Sequence, residues 1–149
     1  MHILNLGTLN VDEGWLLNGA NGGSSSNPNP PNKRRDLMII AGLVEHPEMG
    51  LILFETGCTE NIQTHWSQNA ADLFPRTCYE EQHHLPEAVR RAGYNIKDIK
   101  VVVIGHLHLD HAGGLEHFRD TGVPIFVHEE EFKHACWAAA TQSDGGLYL

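Results

Sequence analysis

The side chains of this sequence best suited to chemistry are three histidines and one aspartate within six consecutive positions. They are His106, His108, Asp110 and His111. Imidazole nitrogen together with carboxylate oxygen suits zinc and other divalent first-row metals, whereas magnesium and calcium prefer oxygen ligands. The spacing excludes a helical zinc site of the HExxH type, and no Cys-x-x-Cys pair supports a zinc ribbon. The sequence therefore predicts a metal centre at residues 106–114. We call these residues, together with the preceding Gly105, the metal loop.

A buried strand is expected to position this loop. Residues 101–104 read Val-Val-Val-Ile, a β-branched run typical of a strand that is covered on both faces. Side chains two positions apart on an extended segment point the same way, so His106 and His108 are expected to converge on one ion. Asp110 and His111 follow at the bend, where they are expected to face a second ion beside the first.

Two motifs in this chain resemble a known family. Residues 106–114, His-Leu-His-Leu-Asp-His-Ala-Gly-Gly, resemble the HxHxDH signature of the metallo-β-lactamase superfamily, in which Gly113 and Gly114 permit a tight turn and close backbone approach. Residues 54–57, Phe-Glu-Thr-Gly, are similar to the strand-end motif of this superfamily, which commonly carries Asp-Thr-Gly. Glu55 stands in place of that aspartate, either as an anchor for a ligand or for the loop, or as a solvent-facing side chain.

The resemblance implies an α/β (α+β) fold, the αββα sandwich with two central sheets and helices outside. Residues 1–149 are expected to form only its first half, since relatives take further ligands from a second half, and a truncated product or fragment would leave a sheet uncovered. We expect such a chain to be poorly soluble or to associate. His128 and His134 are weaker candidates for further ligands, because lone histidines are usually structural.

The function that the resemblance implies is hydrolysis at one or two zinc ions, or at other divalent first-row metals. His106 and His108 would hold the first ion and Asp110 and His111 the second. A metal-bound hydroxide, oriented by Asp110 as the catalytic residue, would attack a carbonyl group.

The resemblance also narrows the substrate. Residues 85–111 (helix, Gly-Tyr, Ile-x-Asp-Ile, apolar strand and metal loop) are similar to the corresponding part of quorum-signal lactonases, which favours a cyclic ester. A lactam is the second candidate, because similar fungal proteins open a cyclic amide, and glyoxalase-like thioester hydrolysis shares the same loop. A catalytically inactive remnant that binds metal is a further alternative.

Composition limits these expectations. The 149 residues, 41% of them hydrophobic, suffice for at most one domain with a core. The formal net charge of -9 argues against a nucleic-acid partner and disfavours a nucleic-acid-processing relative. Three cysteines, no signal-like N-terminus and no long apolar run predict free thiols in a cytoplasmic protein without a membrane partner. The expected partner is a small-molecule lactone or lactam, and assembly into a homo-oligomer is left open.

The remaining elements are predicted from hydrophobic periodicity and turn residues. An opening strand is expected over residues 2–9, followed by a hairpin of strands 37–45 and 51–54. Between them, residues 18–36 are rich in Gly, Ser, Asn and Pro and predict an exposed loop, either a linker or a lip over the substrate pocket. Further predictions are helices over 59–69, 85–92, 115–118 and 129–140, a strand over 124–127 and an irregular segment over 74–79.

Overall fold

Six strands form one mixed sheet in the computed structural model, which describes residues 1–148. The strands are β1 (His2–Asp12), β2 (Arg34–His46), β3 (Gly50–Phe54), β4 (Arg76–Cys78), β5 (Ile99–Ile104) and β6 (Ile125–Val127). They lie in the order β4-β1-β2-β3-β5-β6 across the sheet. The pairs of β1 with β4, β1 with β2 and β2 with β3 are antiparallel, whereas β5 pairs in parallel with both β3 and β6. The parallel pairs lie where the metal loop emerges.

Five short helices lie between the strands, and a longer one follows the last strand. They are α1 (Glu13–Leu16), α2 (Ile62–His65), α3 (Gln68–Leu73), α4 (Leu85–Arg91), α5 (Leu109–Ala112) and α6 (Glu129–Thr141), with 3-10 turns at Glu81–His83, Ile96–Asp98 and Gly113–Phe118. Pro86 lies in the first turn of α4, where its missing N–H costs no helical hydrogen bond. Acidic residues open α6 and favour its N-terminal dipole. None of the helices within residues 1–148 is long and apolar enough to cross a membrane.

Within residues 1–148, the helices pack against one face of the sheet. On that face, Leu43, Leu53 and Val102 are fully buried, and Val89 of α4 and Trp66 pack into the same cluster. This arrangement follows from the strand period of two, which directs alternate apolar side chains to the core.

The opposite face of the sheet is apolar and open. Its exposed large side chains are Ile3 (62% exposed), Met38 (61%), Phe126 (56%), Ile40 (50%) and Phe54 (45%). Register places them together, because Ile3 pairs with Gly42, Gly42 with Phe54, Phe54 with Val103 and Val103 with Phe126. In a sandwich of two sheets the inner faces are apolar in this way. The open face thus has the character of the inside of a sandwich.

The structure confirms most predicted elements and corrects three segments outside the metal loop. The exposed loop predicted over residues 18–36 ends at residue 33, because the backbone of 34–36 pairs with 10–12 of β1 and lengthens β2. The segment predicted as irregular contains β4, which pairs with Thr8 and Leu9. The helix predicted over 59–69 is divided into α2 and α3, because Ser67 caps a new helix through its hydrogen bond from the Ala70 N–H.

Candidate metal centre

The position of the site follows from the parallel pairing of β3 and β5. Phe54, the last residue of β3, pairs with Val103, one residue before the end of β5. Parallel strands have their carboxyl ends at the same edge of the sheet, so the segment after β3 lies beside the metal loop. The Glu55 N–H donates to the Val103 carbonyl at 2.9 Å and continues this pairing by one residue.

The metal loop changes from extended to helical in its middle. Asp110 and His111 lie in α5 and not at a simple bend, which corrects the sequence-based expectation. Leu109 and Ala112 of the same helix are buried in the core. Asp110 and His111, on the remaining helical positions, therefore stay half-buried and available to a ligand.

Three of the four predicted ligands lie close together. One potential ligand atom each from His106, Asp110 and His111 lies within 4.8 Å of the other two, and they are the only such group among residues 1–148. The ring centres of His106 and His111 are 3.8 Å apart. His108 lies outside this group, with its ring centre 4.8 Å from that of His106. The division of the ligands into a His106–His108 pair and an Asp110–His111 pair stays a prediction.

Glu55 is buried behind these residues. Only 8% of it is exposed, so the alternative of a solvent-facing glutamate is wrong. Its Oε1 accepts a hydrogen bond of 2.8 Å from the Gly105 N–H, and its Oε2 lies 3.2 Å from Nδ1 of His111. The other ring nitrogen, Nε2 of His111, faces Asp110 at 3.4 Å. Glu55 therefore contacts both the start of the metal loop and one predicted ligand.

Two buried polar atoms here have no hydrogen bond of good geometry: Oε2 of Glu55 and Nδ1 of His111. Such atoms are rare in folded proteins and often mark a site whose partner is an ion or water. Metal-ligating histidines commonly direct their second nitrogen to a carboxylate, which is the arrangement of His111 with Glu55. Two imidazoles and a carboxylate, with Glu55 behind them, thus fit a divalent first-row cation.

Charge around the loop follows from the same contacts. Burial lowers the pKa of His111, but contacts with Asp110 and Glu55 outweigh burial and raise it to about 9. Burial raises the pKa of Asp110, yet its interaction with His111 holds the carboxyl below its ordinary value. For His108, burial and then the neighbouring His106 lower the pKa, which favours the neutral imidazole that metals bind.

Gly113 and Gly114 allow the loop to pack against the segment after β3. Both the N–H and the hydroxyl of Thr56 donate to the His111 carbonyl, at 2.9 and 2.7 Å. A Cβ on Gly113 would overlap the backbone nitrogen of Thr59, and one on Gly114 would overlap the carbonyl oxygen of Thr56. Because φ at Gly113 is an ordinary -60°, close approach and not handedness requires glycine there.

The other candidates from the sequence have different roles. His128 caps α6, since its Nδ1 accepts from the Glu130 N–H at 3.2 Å. The ring of His134 lies beside Trp137 and Tyr148, and neither histidine joins the compact ligand group. Burial raises the pKa of the Cys58 thiol to about 12, so no activated nucleophile is present there. All three cysteines are unpaired in the structure.

A cavity of about 330 Å³ borders the metal loop. All four predicted ligands line it, together with Leu9, Val11, Trp15, Leu16, Leu37, Trp66, Phe74, Leu109 and Leu147. The ring of Trp15 meets Phe74 edge-on at 5.4 Å across this wall. A larger cavity of about 830 Å³ lies on the other side of the loop, beside α6, and none of the four ligands lines it. The smaller cavity is therefore the one that belongs to the site.

Comparison with known proteins matches residues 34–146 to the metallo-beta-lactamase superfamily. The chain is 30% identical over 152 residues to the N-acyl homoserine lactonase AiiB of Agrobacterium fabrum, covering 100% of this chain and 54% of AiiB. It is 33% identical over 113 residues to the N-acyl homoserine lactonase AiiA of Bacillus thuringiensis subsp. kurstaki, covering 70% of this chain and 42% of AiiA. The chain thus spans about half the length of the curated relatives it matches.

Solved structures show the same fold relationship. An N-acyl homoserine lactone hydrolase, with the product N-hexanoyl-L-homoserine bound at its catalytic metal centre, superposes with a TM-score of 0.67 at 25% identity, covering 91% of this chain and 50% of that one. AidC, a dizinc quorum-quenching lactonase, gives a TM-score of 0.57 at 21% identity, covering 89% of this chain and 42% of AidC. The second likeness supports the fold alone.

Proposed function

This chain belongs to the metallo-β-lactamase superfamily, and we propose that it carries the metal loop of a zinc-dependent hydrolase that opens an N-acyl homoserine lactone or a similar cyclic ester. The relatives named above act on such lactones, and the chain covers about half of their length. The activity proposed is that of the whole protein.

One observation carries this proposal: the four predicted ligands and a mainly apolar cavity share one wall. At about 330 Å³ the cavity is within the usual size range for small-molecule sites. Trp15, Leu16 and Phe74 also line this cavity, although they are distant from the metal loop in sequence. They offer an apolar surface to an acyl chain. The cavity would therefore suit an acylated lactone, with its polar ring at the metal ligands and its apolar tail on this surface.

His106, His108, Asp110 and His111 would hold the metal. When bound, a zinc ion lowers the pKa of a coordinated water toward neutrality and polarises a carbonyl oxygen. Asp110 would accept a hydrogen bond from the attacking water and so orient it toward the carbonyl carbon. With a metal bound, the Glu55 carboxylate, 3.2 Å from Nδ1 of His111, would favour the tautomer with its proton on Nδ1, and Nε2 would then serve as the ligand.

Ring opening by the native protein, expressed at its full natural length, tests this proposal. N-acyl homoserine lactones with short and long acyl chains are supplied as substrates. The acid that ring opening produces is followed with a pH-indicator dye in a weak buffer. We expect turnover that requires metal and is lost in Asp110→Ala, and a KM for long-chain lactones that rises in Trp15→Ala while the KM for short-chain lactones changes little. Hydrolysis of a lactam but of no lactone would overturn the substrate assignment.

A further inference from the structure

The extended half of the metal loop is held by three hydrogen-bond acceptors from distant parts of the chain. The N–H of Gly105 donates to Glu55, the N–H of Leu107 donates to Oε1 of Glu131 at 2.7 Å, and the N–H of Leu109 donates to the Leu147 carbonyl at 3.0 Å. These are alternate residues, so one edge of the segment is bound throughout. His106 and His108 are the residues between them.

From this arrangement we propose that Glu131 is a positioning residue of the metal centre: its carboxylate fixes the Leu107 backbone and thereby the relative orientation of His106 and His108. The role in metal binding rests on the proposed function, whereas the contact with Leu107 does not. Glu131 touches no substrate in this account and acts through the two histidines.

Glu131 is singled out from two identical neighbours. Glu129 and Glu130 are highly exposed, and their carboxylates contact only Lys133 of the same helix among the described residues. Glu131 is half-buried and reaches back 24 residues to the metal loop. One turn of a helix therefore contains the proposed residue and two matched controls.

Tyr148 forms a second connection between Glu131 and His108. The Tyr148 ring meets the ring of His108 edge-on at 4.6 Å, and the charge of Glu131 acts on the Tyr148 phenol. Burial, followed by the charge of Glu131, raises the pKa of Tyr148, so the phenol keeps its proton. Glu131 thus binds the backbone before His108 directly, and its charge also acts on the tyrosine that packs against the His108 ring.

The position of the two histidines is important because ligand-to-metal distances in a metal site vary by only about 0.2 Å. An extended loop freed at Leu107 would let the two rings separate, since both histidines precede Leu109, the first residue of α5, and so lie outside that helix. Loss of hydrogen-bonded groups behind metal ligands commonly weakens metal binding about 10–100-fold.

Cobalt binding by the 149-residue chain tests the assignment. Cobalt(II) is titrated into wild type, Glu131→Ala, Glu131→Gln and the control Glu130→Ala, and both affinity and the d–d absorption bands are recorded. We expect Glu131→Ala to bind about 10–100-fold more weakly with altered bands. Glu131→Gln should recover most of the affinity, because its amide oxygen still accepts from Leu107, and Glu130→Ala should match wild type. Equal affinity and equal bands in wild type and Glu131→Ala would overturn the proposal.

Hydrogen exchange at the Leu107 amide, measured without metal, gives a readout that does not depend on the proposed function. We expect the amide to be protected in wild type and in Glu131→Gln and to exchange faster in Glu131→Ala, with thermal unfolding confirming that each variant is folded. Equally fast exchange in all variants would show that the tether does not exist. A wild-type chain that protects Leu107 but binds no cobalt would instead overturn the proposed metal centre, and the metal role of Glu131 with it.

Discussion

Replacement of Glu55 by Gln should weaken metal binding far more than it weakens the fold. The amide oxygen of Gln can still accept from the Gly105 N–H, which Glu55 binds at 2.8 Å. Its NH2 group would face Nδ1 of His111, where a carboxylate oxygen now lies at 3.2 Å. A donor there favours the tautomer with the proton on Nε2, the nitrogen that faces Asp110. The ring would then present a proton where the ligand lone pair is needed.

The magnitudes of the two effects differ. A hydrogen bond to a charged acceptor contributes about 1.5–3 kcal/mol and one to a neutral acceptor about 1 kcal/mol, so the change at Gly105 costs roughly 1 kcal/mol. For a chain of this size that lowers the thermal midpoint by about 2–4 °C. Metal affinity should fall about 10–100-fold, the usual cost of losing a carboxylate partner of a metal-bound histidine.

Zinc affinity is measured by competition with a fluorescent chelator, and unfolding by circular dichroism. The control is Glu60→Gln, which makes the same substitution at a glutamate that contacts His84 and His117, two histidines outside the metal loop. We expect the control to bind zinc like wild type. A folded Glu55→Gln protein with wild-type zinc affinity would refute the tautomer argument.

Three further predictions concern the rest of the chain. Gly113→Ala should lower the free energy of unfolding, measured by denaturant titration, by about 1–3 kcal/mol, because its Cβ would overlap the backbone of Thr59. Gly42→Ala serves as the control, because its Cβ would meet only ordinary contacts. With its pKa raised to about 12, the Cys58 thiol should resist iodoacetamide at pH 8, while the two exposed cysteines are alkylated. Mass spectrometry identifies the labelled residues, and rapid labelling of all three cysteines in folded protein would contradict the burial of Cys58. The open sheet face should make the isolated chain self-associate, and the double variant Met38→Ser, Ile40→Thr should shift light scattering toward the monomer; unchanged scattering would assign association to another surface.

Elements with a strong local pattern were predictable from the sequence. The hairpin of β2 and β3, helix α4 and the strand before the metal loop all follow from periodicity and from turn or capping residues near in sequence. The family and the half-length coverage of its fold followed from the metal loop, whose ligands are contiguous in sequence. Local information sufficed in each case.

The features that the sequence did not reveal depend on pairing over long distances. Strand β4 has only three residues, Arg-Thr-Cys, and owes its extended form to β1. The partners of Glu55 depend on the parallel register of β3 and β5, which no local pattern specifies. A run of three glutamates opens α6, and only the packing of that helix decides that Glu131 reaches the metal loop.

The central claim is that the metal loop forms a metal centre which opens a lactone, and one measurement tests it most directly. The native protein, at its full natural length, is analysed for bound metal and assayed for opening of an N-acyl homoserine lactone on the same sample. The account predicts bound zinc or another first-row metal together with ring opening, and loss of both in His106→Ala. A folded protein that binds no metal, or that opens the lactone equally well without it, would contradict the account.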